Sequence, residues 1–157
     1  MDRSIVERYS SGAGAVPAAI SGLSKAELNA FPVPGTWSIQ QIVFHLMESD
    51  LIATDRMKRI IAMENPLLIG FDETAFSKHL LHEELDPQAA CELFEKNRQL
   101  TGEMLRRLPD KAFARTGIHN ERGTISLAEL LAGTADHSEH HLKFIRQKRE
   151  MLGKPLA

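Results

Sequence analysis

The chain has 157 residues, of which 43% are hydrophobic, and a formal net charge of −2 at pH 7, which predicts one domain over residues 1–157 with a core that needs no disulfide. The basic residues are scattered, no apolar run is long enough to span a bilayer, and no signal-peptide core follows residues 1–3, so we expect no nucleic-acid or membrane partner and a cytoplasmic location. The single cysteine, Cys91, lies at helical spacing among apolar residues and is predicted to be a buried small hydrophobe.

The first predicted element is an interrupted helix. Residues 3–22 place apolar side chains at helical spacing, but Gly12, Gly14 and Pro17 predict a kink or a break. A short helix near residues 24–30 is expected to follow. Because an interrupted helix would cover a bundle poorly, the sequence also predicts a homodimer.

Three long helices follow, and both they and the short helix before them have recognisable starts. Ser24, Ser38 and Ser126 each precede a Glu or Gln by three residues, which is the pattern of a capping box, and Asp86 precedes a proline suited to the first helical position. No alternation typical of strands persists. The predicted fold is therefore an all-α four-helix bundle with a long crossover between its second and third long helices. The expected spans are long helices at about 38–63, 87–108 and 126–151, a crossover at 64–86 with a short helix around 73–81, and a turn-rich connector at 110–124.

The last predicted helix carries two histidines one turn apart. His137 and His141 lie ~40° apart on a helical wheel, within the apolar arc, and this spacing lets one helix offer two nitrogens to one metal ion. His140, ~100° from His141, should lie at the edge of the arc or in solvent. Such pairs also occur on solvated faces, so the spacing alone leaves a metal site and a solvated pair as equal alternatives.

The second long helix adds His45 and Asp50 to this picture. His45 lies at one side of an apolar arc, where it is either a third ligand or a hydrogen-bonded core histidine. Asp50 falls inside the same arc, and a buried carboxylate is costly unless it meets a metal, a histidine N–H or a cation. Asp50 is therefore the predicted supporting partner of the ligands.

Other polar residues carry weaker signals. His79 and His82 lie beside acidic residues in the crossover and predict a solvated surface, and His119 is expected in a turn. Asn97 is expected to make a buried hydrogen bond or to line the pocket. Tyr9 could donate a hydrogen bond into the site from the first helix.

Two blocks of sequence form a recognisable combination. The blocks are Trp-Ser-Ile-Gln-Gln-Ile-Val-Phe-His-Leu at 37–46 and Ser-Leu-Ala-Glu-Leu-Leu at 126–131 running to Asp-His-Ser-Glu-His-His-Leu at 136–142. In this order and separation they resemble the DinB-like superfamily, which includes the YfiT-type proteins. Carried over by position, the resemblance implies that His45, His137 and His141 hold a divalent metal ion, with zinc or nickel first among the candidates. It also implies that a low-molecular-weight thiol could be a cofactor.

The functional hypothesis joins the resemblance to the chemistry of an incomplete coordination shell. Three histidines leave at least one position open, where a thiol or a water can be activated. The sequence predicts a divalent-metal-dependent enzyme acting on small molecules, and the resemblance implies a small-thiol S-transferase as the first candidate. A metal-dependent hydrolase and a non-catalytic, metal-stabilised bundle that binds a ligand or partner remain as alternatives.

Overall fold

The computed structural model describes residues 3–156, and helices dominate it. The predicted all-α bundle is confirmed, with a small sheet in addition. Its four members are the N-terminal pair α1 and α2, followed by α4, α6 and α7. The helices are α1 (Ser4–Ser11), α2 (Ala15–Ile20), α3 (Lys25–Leu28), α4 (Ile39–Ala62), α5 (Glu73–His79), α6 (Pro87–Arg107) and α7 (Leu127–Met151), with 3-10 turns at Gly12–Gly14 and Asp110–Ala114.

The helix starts follow from the capping residues. Ser24, Ser38 and Ser126 each accept a hydrogen bond from the backbone three residues ahead, and the Glu or Gln at that position bonds back to the cap. Asp86 accepts a hydrogen bond from the backbone N–H of Gln88 ahead of α6. Because side chains satisfy these backbone donors, the long helices begin where the sequence predicts.

The N-terminal segment is interrupted at its glycines rather than at its proline. The 3-10 turn at Gly12–Gly14 separates α1 from α2, whereas Pro17 lies in the first turn of α2, where its missing N–H costs little. A Cβ on Gly12 would lie 2.7 Å from Nη1 of Arg98, so the turn lets the backbone approach that side chain.

The N-terminal segment nevertheless closes the bundle. α1 packs against α6 and α7, and α4 packs against the same two helices. Val6, Tyr9 and Val16 from this segment are fully buried. The segment therefore covers the bundle well, and the reason given for a homodimer does not hold. The oligomeric state itself stays a prediction.

A three-stranded sheet lies in the connectors and was not predicted. β1 (Leu67–Leu68) pairs in parallel with β2 (Thr116–His119), and β2 pairs antiparallel with β3 (Gly123–Ser126). The connector at 110–124 is therefore a 3-10 turn followed by a hairpin, not only turns. Strands of two to four residues are too short to show alternation in a sequence. His119, expected in a turn, is instead the buried last residue of β2.

The crossover between α4 and α6 contains β1 and the expected short helix, α5. The prediction that His82 is solvated is wrong. His82 is buried, its Nε2 lies 2.9 Å from Oε1 of Glu48, and its ring stacks on Phe44. Gln40 Nε2 donates to the carbonyl oxygens of His82 and Leu85 at 2.6 and 2.9 Å, which anchors this segment to α4.

The predicted surface position is correct for His79, which is exposed at the end of α5. No helix within residues 3–156 combines the length and the apolar character needed to cross a membrane.

Candidate metal centre

Three imidazoles from two helices meet inside the bundle. α4 supplies His45, and α7 supplies His137 and His141 one turn apart. One ring nitrogen of each lies within 4.8 Å of those of the other two. Nε2 of His45 and Nε2 of His137 lie 3.0 Å apart. The structure thus brings together the three residues that the sequence singles out as ligands.

The distance between the His45 and His137 nitrogens fits two ligands of one divalent ion. Two nitrogens bound to the same ion at about 2.0–2.1 Å lie roughly 2.9–3.4 Å apart, a range that includes the His45 to His137 distance. The Nδ1 atom of His141 is buried and has no hydrogen-bond partner among residues 3–156. A cluster of imidazoles with an unsatisfied buried nitrogen is a donor set suited to a cation.

All three rings are held in the neutral form that a metal ligand needs. Burial, together with repulsion between the positive charges that His45 and its neighbouring imidazoles would carry, lowers the pKa of His45 to about 3. Burial likewise lowers the pKa of His141 to about 4 and lowers that of His137. At neutral pH each ring therefore keeps a free lone pair.

Neighbouring side chains fix the orientation of the rings. The hydroxyl of Ser49 lies 3.4 Å from Nδ1 of His45, which leaves Nε2 directed at the cluster. Trp37 packs on His45 with ring centroids 4.7 Å apart and stacks over His141 at 6.2 Å. His140 is exposed, as its place on the helical wheel predicts.

Asp50, on the same helix as His45, is buried and forms an ion pair with Arg98. Its Oδ1 accepts a hydrogen bond from Nε of Arg98 at 2.8 Å, and both side chains are almost completely buried. Burial raises the pKa of Asp50, and the positive charge of Arg98 opposes that rise. Of the three partners that the sequence allowed for this carboxylate, the structure has the cation, whereas a direct bond from Asp50 to a ligand imidazole is absent among the described residues.

Arg98 was not identified from the sequence, although it is the centre of this network. Its guanidinium lies between the rings of Tyr9 and Phe94, 4.6 and 4.4 Å from their centroids. Its Nη2 donates to the carbonyl oxygen of Thr134, three residues before His137. The Asp50 and Arg98 pair therefore connects α4, α6 and the part of α7 that carries the site.

The expectations for Asn97 and Tyr9 are resolved by the same network. Asn97 Nδ2 donates to Oδ2 of Asp50 at 2.7 Å and to Oγ1 of Thr54 at 2.9 Å, so the hydrogen-bonding alternative is correct. The hydroxyl of Tyr9 donates to Oδ2 of Asp50 at 3.3 Å rather than to an imidazole. Both side chains support the buried carboxylate.

Two of the cavities that border the histidine cluster differ in the character of their walls. An apolar cavity of about 400 Å³ has His141 in its wall together with Trp37, Ile42, Phe144 and Lys148. A polar cleft of about 280 Å³ has the other two histidines in its wall, and it is also lined by Arg56, Glu73 and Arg122. The cluster can therefore be approached from two sides.

Glu73 is a second site residue that the sequence analysis missed. It opens α5 in the crossover, and its Oε2 lies 3.3 Å from Nε2 of His45. Burial raises its pKa, although about half of the side chain remains exposed. The only available signal was an acidic residue in the first turn of a short predicted helix, and nothing local shows that this helix folds over the site.

Cys91 is buried in the core, as predicted. Burial raises its pKa to about 12, so the thiol is protonated at neutral pH. It therefore supplies no nucleophile to the histidine cluster.

Comparisons with known proteins agree with the geometry of the site. A protein of Oceanobacillus iheyensis named "Putative metal-dependent hydrolase" is 30% identical over 123 residues, covering 78% of this chain and 71% of its own. YfiT of Bacillus subtilis carries the same description and is 26% identical over 136 residues, or 86% of this chain and 76% of YfiT. The solved structure of YfiT, described as "a probable metal-dependent hydrolase with an unusual four-helix bundle topology", matches with a TM-score of 0.90 at 24% identity, covering 96% of this chain and 86% of that one. The family model of the DinB superfamily matches residues 9–145, and the chain therefore belongs to the DinB superfamily.

Proposed function

We propose that this protein is a divalent-metal-dependent enzyme that transfers a low-molecular-weight thiol to an electrophilic small molecule. The observation that carries the proposal is the convergence of three neutral imidazoles between two separate cavities. His45, His137 and His141 would hold the ion, with zinc or nickel as the first candidates. A divalent ion held by three histidines supplies Lewis acidity, which favours the deprotonated form of a thiol or of water at neutral pH.

The two cavities provide for two reactants. A transferase must hold a nucleophile and an electrophile against each other, and two cavities that each have ligand histidines in the wall allow that arrangement. The polar cleft, with Arg56 and Arg122 in its wall, suits a hydrophilic thiol. The apolar cavity suits the electrophile, because Trp37 and Phe144 give it an apolar wall.

Residues of the chain also account for the movement of the proton. Oε2 of Glu73, beside Nε2 of His45, is in position to accept the proton of the thiol S–H group. The sulfur then forms a bond to the electrophilic carbon, and the leaving group departs with its electron pair. Cys91 cannot replace the external thiol, because it is buried in the core and protonated.

A metal-dependent hydrolase is the second candidate, and a specific observation favours it. The carboxylate of Glu73 next to the cluster could equally accept a proton from water. The description printed for the relatives names the same activity for those proteins. The two candidates share the histidines and differ in the nucleophile.

The test compares conjugation and hydrolysis in one set of proteins. Metal-loaded protein would receive 1-chloro-2,4-dinitrobenzene with a series of small thiols, and p-nitrophenyl acetate in a parallel assay. We expect thiol conjugation that is lost in His141→Ala and after chelation, and retained in His140→Ala and Cys91→Ser. Ester hydrolysis without conjugation, dependent on Glu73, would favour the hydrolase.

A third outcome would reject both enzymatic proposals. If neither reaction exceeds background while chelation lowers the thermal midpoint of unfolding, the ion stabilises a binding bundle instead. If Cys91→Ser loses conjugation and His141→Ala keeps it, the assigned roles are reversed.

A further inference from the structure

Lys148 is a buried cation with no anionic partner among residues 3–156. Its side chain is on the last turns of α7, and the residue is only 3% exposed. Its Nζ donates one hydrogen bond, to Oγ1 of Thr36 at 2.6 Å, and no carboxylate among residues 3–156 lies within 4 Å of it. Burial lowers its pKa, and no charge in the described part of the chain offsets this effect. An ammonium group has three donors, so two remain available here.

The unpaired ammonium lies in the wall of the apolar cavity. The same cavity of about 400 Å³ is bounded by Trp37, Ile42 and Phe144, and His141 is also part of its wall. Cavities of this size, mainly apolar with a few polar groups, are typical of sites for small molecules. A lone buried charge is costly, and an anion that enters the cavity would offset that cost.

The positions of Lys148 and His141 define the length of the ligand. They are seven residues apart on one helix, which places them on the same side and roughly 10 Å apart along the axis. A ligand that reaches both ends therefore needs an apolar body between its two functional groups. One positive charge without a second cation in the cavity wall matches a single negative charge better than a dianion.

We propose that this cavity binds an organic monoanion, a carboxylate on an apolar body, with the carboxylate on Nζ of Lys148 and the body between Trp37 and Phe144. The inference rests on the proposed function in one respect, because it assigns this chemical class to the electrophilic substrate. The electrophilic carbon would then lie at the His141 end of the cavity, where the thiol from the polar cleft meets it.

The test uses Trp37, which is the only tryptophan of the chain and lies in the cavity wall. Chelated wild-type protein would be titrated with 4-phenylbutanoate and with the neutral 4-phenylbutanamide while tryptophan fluorescence is followed. We expect saturable binding of the carboxylate, at least about tenfold tighter than that of the amide, because a desolvated charge-assisted bond is lost in the amide.

Two variants test whether Lys148 causes the preference for the carboxylate over the amide. Lys148→Met keeps the size of the side chain, and it should bind carboxylate and amide equally. Lys143→Met removes an exposed lysine from the same helix and should retain the preference. Circular dichroism checks that each variant is folded, and the wild-type comparison of the two ligands needs no variant.

Three results would overturn the inference: equal affinities for carboxylate and amide in the wild type, no fluorescence change with either ligand, or an unchanged preference in Lys148→Met. Chelation separates this test from the proposed function, because binding at Lys148 requires no ion. If the preference appears only after metal is added and survives in Lys148→Met, the carboxylate binds the ion. That result would reject the assignment of Lys148 while leaving the metal-dependent activity intact.

Discussion

Replacing Asp50 with Asn should strongly destabilise the protein. The change keeps the shape of the side chain but removes the negative charge that faces Arg98, a residue that is only 1% exposed. Breaking a buried ion pair by removing one partner costs about 3–5 kcal/mol, because the other charge stays buried without compensation. Because the free energy of unfolding falls by about 2 kcal/mol per M of urea, the urea concentration at the midpoint of unfolding should fall by roughly 1.5–2.5 M.

Urea titrations at pH 7.5, followed by far-ultraviolet circular dichroism, measure this effect. The matched control is Glu7→Gln, which breaks an exposed ion pair with Arg106 and should leave the midpoint close to that of the wild type. Adding Arg98→Met to Asp50→Asn removes the stranded charge as well, and it should restore much of the lost stability.

A midpoint of unfolding for Asp50→Asn within about 0.3 M urea of the wild-type midpoint would contradict this prediction. A double variant no more stable than Asp50→Asn alone would contradict it as well. Loss of metal from Asp50→Asn without loss of stability would mean that the carboxylate acts on the histidines directly, as the sequence allowed.

Two further predictions concern the core and the helix faces. Because burial raises the pKa of Cys91 to about 12, we expect this thiol to resist 5,5′-dithiobis(2-nitrobenzoate) in the folded protein at pH 8 and to react fully in urea; fast reaction of the native protein would contradict the burial. Gly102→Ala should cost about 1–3 kcal/mol in thermal unfolding, because the added Cβ would collide with the side chain of Ser10. Gly133→Ala, whose Cβ would meet nothing within 4 Å, should instead stabilise α7 by about 0.5–1 kcal/mol, and equal effects of the two changes would refute the packing argument.

The helices and the histidine cluster are predictable because their signals are local. A capping serine and the residue three positions later decide where a helix begins, without reference to the rest of the chain. The 3.6-residue period likewise places His137 and His141 on one face of α7. Their meeting with His45 is anticipated by the resemblance to the family rather than by spacing.

The missed features depend on contacts between distant segments. The partner of Asp50 is Arg98, which is 48 residues away, and an arginine on a helix gives no local sign that it will be buried. Glu73 and His82 belong to the crossover, whose path over α4 is set by the anchoring bonds of Gln40. The acidic residues next to His82 predicted that its side chain is exposed to solvent, but the ring is buried, stacks on Phe44 and lies beside Glu48.

The central claim is that His45, His137 and His141 bind one divalent ion, and elemental analysis of protein purified without added metal tests it most directly. We expect about one zinc or nickel ion per chain in the wild type and in His140→Ala, and none in His141→Ala. Wild-type protein that contains no divalent metal and takes up none on addition, or equal metal content in His140→Ala and His141→Ala, would contradict the claim.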